Sequence, residues 1–306
     1  MQVGVNLLNF GPGASPDALL RWARLAESLG YHSVMVSDHV AVTPDVAGFY
    51  PETFHDPFAL LAWLAGKTKR VTLGTTVIVL PHRHPILMAR LAANIDHMSG
   101  GRLIFGVGAG WAKQEFAALG LDFSKRGRMT DEYIEAMKAL WTGTGAVSYE
   151  GETVSFRDVS AIPAKQRPHP PVWVGGNTDA GMRRAVRHGD AWHPINFTRP
   201  WIRERAATLR RMADEVGRPA PLLCPRIQLH LTEGDRDGGD GRQMGVGSPA
   251  QVRGDLALLQ ELDSKHVTLD WYMSPDVEAT RRHERGWAMF AALAEKALDL
   301  AGERVR

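Results

Sequence analysis

The chain reads as an α/β protein built as a (β/α)8 TIM barrel, with insertion segments at its C-terminal mouth. Three observations predict this. First, residues 71–111 run strand, helix, strand, with Gly, Pro and His gathered just past the C-terminal end of each strand. Parallel α/β folds bind their ligands at that end. Second, residues 71–80 are apolar and β-branched on both faces, as a strand covered on both sides requires. Third, strand and helix signals alternate eight times within 306 residues, the arithmetic of a barrel. A doubly wound sheet would place a nucleotide fingerprint in its first turn. Residues 9–13, Asn-Phe-Gly-Pro-Gly, lack that spacing.

The elements follow in order. A first strand covers 3–7. Ser15, Pro16 and Asp17 open a helix that runs to about 29 and stops at Gly30, the residue types suited to N-cap, first turn and stop. A second strand over 33–37 ends in Asp38-His39. A polar loop then reaches about 55, and Asp56-Pro57 starts a helix ending near Gly66. Strand three covers 71–79 and its helix 85–98; strand four covers 103–107. Helical segments follow, the long one ending at Trp141.

The alternation then pauses. Residues 147–149 and 154–156 flank Glu150-Gly151 as a small hairpin, and a Pro-rich loop follows. The insertion, about 142–171, is expected to act as a lid rather than to divide the chain, so 1–306 is read as a single barrel domain. Strand five is 172–174, strand six 191–193, strand seven 223–231 and strand eight 267–270, with helices to about 188, over 200–216 and 249–262, and a closing helix over 275–298. The Gly- and Asp-rich stretch 233–247 is expected to be a mobile loop.

Composition narrows the function classes. A chain that is 44% hydrophobic can bury one large core. Its net charge is +2 with both signs mixed along the sequence, so nothing calls for a nucleic acid or an anionic membrane as partner. No apolar stretch approaches the ~20 residues that span a bilayer. The one cysteine, Cys224, cannot close an internal disulfide, which suits a reducing, cytoplasmic setting. It reads as a buried small side chain rather than as a nucleophile.

Several constellations could carry chemistry. Asp38-His39 lies where strand two meets the mouth; His39 could exchange a proton near neutral pH, with Asp38 holding its ring. Gly106, Gly108 and Gly110 precede Trp111 and would let a flat ring approach the backbone, or else allow tight strand-to-helix packing. Gly175, Gly176, Asn177 and Thr178 lead into a helix whose free N–H groups suit a phosphate, and Arg183 and Arg184 could add charge. His82-Arg83-His84, with His193 and Asp270, invites a metal reading, but strand one carries Asn6 where metal-dependent barrels need a His. The expectation is that no metal is bound. Trp111, Trp192 and Trp271 fall at strand ends, where they could wall a pocket or fill the core.

Taken together, Ser37-Asp38-His39, Leu73-Gly74-Thr75-Thr76-Val77, Pro81 with His84-Pro85, Met98-Ser99-Gly100-Gly101-Arg102, the Gly106 to Trp111 run with Glu115, and Pro171-Val172-Trp173-Val174-Gly175-Gly176 resemble the luciferase-like monooxygenase superfamily, in particular its short F420-dependent branch. The likeness is firm over about residues 1–200. It implies an oxidoreductase, usually a homodimer, that binds a flavin-like ring at the barrel mouth and moves a hydride between F420 and a small organic substrate. The alternative is an FMN-dependent monooxygenase using reduced flavin and O2. It further implies a non-prolyl cis bond at Thr76–Val77 against the ring, the cofactor phosphate on Gly175, Gly176, Asn177 and Thr178, and His39 as the proton carrier. Sugar-phosphate dehydrogenases of this branch carry Glu where this chain has Trp111, which argues against that substrate class.

Overall fold

The computed structural model describes residues 1–272 and 277–306. Among them, eight parallel strands form the barrel wall: β1 Gln2–Leu7, β2 Ser33–Val36, β3 Thr72–Thr75, β4 Leu103–Gly108, β5 Val172–Gly175, β6 Ala191–His193, β7 Arg226–Gln228 and β8 His266–Asp270. Each pairs with its neighbours in chain order from β1 to β6, and β7 pairs with β8 and β8 with β1. The remaining seam, β6 to β7, is closed by one segment used twice. Leu222–Leu223 pairs with β6, the chain passes Cys224-Pro225, and Arg226 bridges to Ile195 as β7 begins. Pro225 has no N–H to donate, so the seam is carried by Cys224 N to Trp192 O at 2.9 Å and Arg226 N to Pro194 O at 2.8 Å.

Helix boundaries follow their capping residues. Ser15, Asp56, His84, Thr178 and Ser248 each accept a backbone N–H at the start of a helix. Gly30 stops the first helix in the left-handed region, at φ 89°. The run 98–102 is structural and lies at the end of the barrel away from the mouth. Gly100 and Gly101 turn the chain with positive φ, and the Arg102 guanidinium donates to the carbonyls of Ala65, Thr68 and Val71.

Two apolar clusters result. The larger lies between the strands and the surrounding helices. The smaller, Met35, Ile104, Trp173, Ala191 and Cys224, lies inside the barrel. Above it, toward the mouth, comes a buried polar layer of Asn6, Thr76, His193, Arg226 and Asp270. The barrel interior is therefore a packed core with a polar floor on top of it.

The structure departs from the sequence reading at strand three, at strand seven and at the lid. Strand three is interrupted. Gly74 faces Ile104 and Ile78 faces Val107, so one strand advances a residue further than its partner between the two pairs. The interruption holds the cis peptide Thr76–Val77. Strand seven is broken into Leu222–Leu223, Arg226–Gln228 and His230–Leu231, the last pairing with Val246–Gly247 instead of the barrel. The expected lid is a hairpin, Ala146–Glu150 with Ser155–Ser160, that lies along the outside of the helix Arg126–Thr142. Tyr149 donates to Glu135 at 2.9 Å, and Thr153 donates to Glu132 through both N and Oγ1 at 2.7 and 2.6 Å. None of it borders the central cavity; the loops that do include those after β2 and β4.

The stretch 233–247, expected to be mobile, is anchored at its end by a buried ion pair, Arg242 to Asp255 at 2.6 and 2.9 Å. The closing helix is Glu278–Arg281 as a 3-10 turn followed by His283–Lys296, and its predicted start at 275 lies outside the described residues. No helix among the described residues is long and apolar enough to cross a membrane.

Candidate active site

A cavity of about 720 Å³ opens at the C-terminal ends of the strands. Asp38, His39, Thr76, Val77, Gly108, Gly110, Trp111, Gly175, Gly176, Asn177 and Thr178 all border it. Its floor is the interrupted strand three. The Val77 side chain lies where a Cβ on Gly108 would sit 2.7 Å from Val77 Cγ2 and a Cβ on Gly175 3.0 Å from Cγ1. A Cβ on Gly110 would stand 2.6 Å from Val79 and 2.8 Å from Phe116. These glycines therefore make room for the protein's own side chains, the tight-packing alternative of the sequence reading.

His39 is buried, and its ring meets Trp111 edge-on at 5.7 Å and Tyr50 at 5.3 Å. Asp38 does not hold it. Both oxygens of Asp38 accept from Arg83, at 2.6 and 2.8 Å, and one also accepts from Val79 N. The carboxylate on His39 is Glu115, whose Oε2 accepts from Nδ1 at 2.7 Å. Its Oε1 accepts from Val40 N at 2.6 Å and Ala41 N at 3.0 Å. Burial opposes ionisation of Glu115, but the hydrogen bond and charge of His39, the Ala41 N–H and the nearby His82 together hold its pKa below the ordinary 4.5.

The polar floor is a connected network. Arg226, rising from β7, donates to the Thr76 carbonyl on the opposite wall at 2.7 Å and pairs with Asp270 through Nε and Nη2. Asn6 donates to the same Asp270 at 3.0 Å. Burial pushes the His193 pKa down to about 4, so the ring is neutral. Its Nδ1 donates to the Cys224 carbonyl, which can only accept, and its Nε2 at 2.7 Å therefore accepts from the Thr76 hydroxyl.

At the other end of the cavity, Gly176 takes φ 124°, a conformation a side chain would disfavour. Thr178 caps the helix Asp179–His188, accepting from Gly181 N at 3.2 Å. Asn177 is committed to fixing this loop, since its amide exchanges two hydrogen bonds with the backbone of Ile195. Arg184 and Arg126 both border this end; Arg184 is fixed by Asp131 and the Gly127 carbonyl. Arg183 does not border it.

The residues of the metal reading do not converge. His84 is exposed and caps its helix, the His82 side chain is buried beside Phe116, and His193 and Asp270 are engaged as above. Among the described residues no group of three His, Cys, Asp or Glu could hold a metal ion. The sequence reading missed Arg226 and Arg126 as wall residues and Glu115 as the partner of His39. A charge at 226 inside the strand signal 223–231 was the available clue, since an unpaired arginine is rarely buried.

A parallel barrel with its cavity on an interrupted third strand, a glycine loop at a helix start and a histidine at the mouth now has a family. The luciferase-like monooxygenase profile matches residues 1–238, and the chain belongs to that family. The uncharacterized protein Rv0953c of Mycobacterium tuberculosis is 34% identical over 205 residues, 63% of this chain and 71% of that protein. The oxygenase component of the flavin-dependent trigonelline monooxygenase of Acinetobacter baylyi is 33% identical over 176 residues, 56% of this chain and 46% of that protein. An F420-dependent secondary alcohol dehydrogenase, solved with an F420-acetone adduct, has the same fold, with a TM-score of 0.71 at 19% identity over 93% of this chain and 97% of that one.

Proposed function

We propose that the chain is an oxidoreductase that holds a flavin-type ring against Thr76–Val77, with F420 as first candidate and FMN, for a monooxygenase reaction, as the alternative. The observation that carries this reading is the single cavity joining that floor to a glycine-lined helix start at one end and to His39 at the other. The residues present suit such a group. Gly176 leaves the backbone open, with nothing closer to a Cβ there than 3.8 Å. The helix start offers backbone N–H groups, and Arg126 and Arg184 add positive charge for a phosphate. The motif resemblance to the F420 branch supports F420, and the flavin-dependent relative supports the alternative.

When bound, the ring supplies hydride exchange or oxygen activation. The chain's own residues do the rest. Trp111 and Tyr50 wall the space beside His39. His39, held through Nδ1, has Nε2 left to take or give the substrate's proton. The substrate is a small organic molecule. The single unpaired Cys224 suits a cytoplasmic, reducing setting.

A second copy of the chain is the proposed partner. The helix Pro57–Ala65 is apolar nearly all round, and beside it Leu87 and Met98 are 50% and 64% exposed on the helix Pro85–Ser99. A monomeric mass by light scattering would remove the dimer.

Fluorescence titration with F420 and with FMN side by side tests the cofactor. Saturable F420 binding with weak FMN binding supports the first candidate, and the reverse selects the alternative. Binding of neither removes the reading. His39→Ala is expected to retain the cofactor and lose about 10²–10⁴-fold in kcat; unchanged turnover across pH would take His39 out of the chemistry.

A further inference from the structure

We infer that Glu115 is the positioning residue of the site: it fixes the tautomer of His39, so that Nε2 meets the cavity as a proton acceptor. The inference rests on the proton-transfer role proposed above for His39.

The argument is one of hydrogen-bond directions. Glu115 is fully buried, on the helix Lys113–Ala118 that follows β4. Two backbone N–H groups, of Val40 and Ala41, point at its Oε1, and a backbone N–H can only donate. His39 Nδ1 lies 2.7 Å from Oε2. An ionised carboxylate is acceptor-only. All three neighbours must therefore donate, Nδ1 carries the ring's hydrogen, and Nε2 is left with its lone pair.

Glu115 can hold this role because the neighbouring charges are otherwise occupied. Asp38 and Asp56 both pair with Arg83, leaving that guanidinium no claim on Glu115. His82 approaches Oε1 from the η-turn Leu80–His82, but its Nδ1 stays 3.7 Å away and neither of its ring nitrogens is bonded. Burial pushes the pKa of His82 down against the pull of Glu115 and Asp38, which keeps it neutral. The carboxylate's charge is then left to His39 when that ring takes up a proton.

Glu115→Gln inverts the logic. The amide has one oxygen, and the Val40 and Ala41 donors both need it at the Oε1 position. The NH2 group is then turned to His39 Nδ1, which must accept, and the ring's hydrogen moves to Nε2. A mis-set tautomer costs a Ser-His-Asp triad about 10⁴-fold in kcat, and here we expect a fall of about 10²-fold or more with cofactor affinity unchanged.

The direct test reads the tautomer itself. Ring 15N shifts of His39 in the wild-type protein, assigned by difference with His39→Ala, are expected to show the Nδ1–H form. Glu115→Gln is expected to show Nε2–H, and adding it to His39→Ala is expected to cause no further loss of turnover. A wild-type His39 in the Nε2–H form overturns the inference. So does a Glu115→Gln protein whose His39 shifts and turnover match wild type. If the tautomers come out as expected while His39→Ala leaves turnover unchanged, Glu115 is upheld as the group that sets the ring, and it is the proton-transfer reading of His39 that falls.

Discussion

Val77 owes its place to two missing side chains. Gly108 and Gly175 leave the volume its methyl groups fill, and the cavity floor takes its shape from that contact. Gly108→Ala is therefore expected to destabilise the protein by about 1–3 kcal/mol and to weaken ring binding, measured by urea unfolding and by the same titration; an unaltered midpoint and affinity would mean the floor relaxes freely. The glycine spacing was legible in the sequence, but what fills the space beside each glycine was not, because the filling residue comes from a different strand. Glu115 was hidden for a similar reason. It meets His39 across 76 residues, and no periodicity encodes a contact between a strand end and a distant short helix. The adjacency of Asp38 and His39 misled because neighbours in sequence need not share a partner. Asp38 turns to Arg83 while His39 turns to the cavity.

Elements were most legible where local chemistry decides them. Ser15, Asp56 and Thr178 bond the first turns of their helices as their types suggest, and Gly30 ends a helix as expected. Strand breaks were less legible. Residues 71–79 and 223–231 each read as one strand, and a hydrophobicity pattern does not register an extra residue in a ladder or a missing N–H at Pro225. The hairpin shows the limit for insertions: its existence was readable from its turn, but its docking depends on Glu132 and Glu135 of a preceding helix. Because it lies on that helix and away from the cavity, Glu132→Ala is expected to loosen the hairpin, seen as faster amide exchange at 152 and 153, and to leave cofactor affinity untouched. A loss of affinity would mean that the hairpin reaches the mouth after all.

The barrel as a whole carries a pH signature set by its interior. His193 and His266 lie inside it, and burial pushes their pKa values down to about 4 and about 3. Unfolded, each binds a proton near the ordinary 6.5. A base whose folded pKa is depressed contributes stability above its unfolded pKa and loses it as the unfolded state takes up protons on acidification. Stability is therefore expected to fall from about pH 6.5 down to about 4, by roughly 3 kcal/mol per histidine at most. Glu115, whose pKa lies below 4.5, adds a further loss at lower pH. Urea midpoints measured from pH 7 to 4 check this, and a flat profile would place both rings in contact with water. The eightfold alternation predicted the barrel, since it is a property of the whole chain; the polar floor inside it was not predicted, because it is assembled from one residue on each of several strands.

Arg226 reaches across the barrel from the strand that closes it to Thr76 on the facing wall. In mechanical terms it is a tie rod, anchored at Asp270 and pulling on the carbonyl beside Val77. The depth of the cavity floor is thus set from the far side. A change at the foot of the rod, in Asp270 or in Asn6 beneath it, would move the cavity floor without altering any atom of that floor. Selection for a new ligand has in this molecule a route that leaves the lining intact.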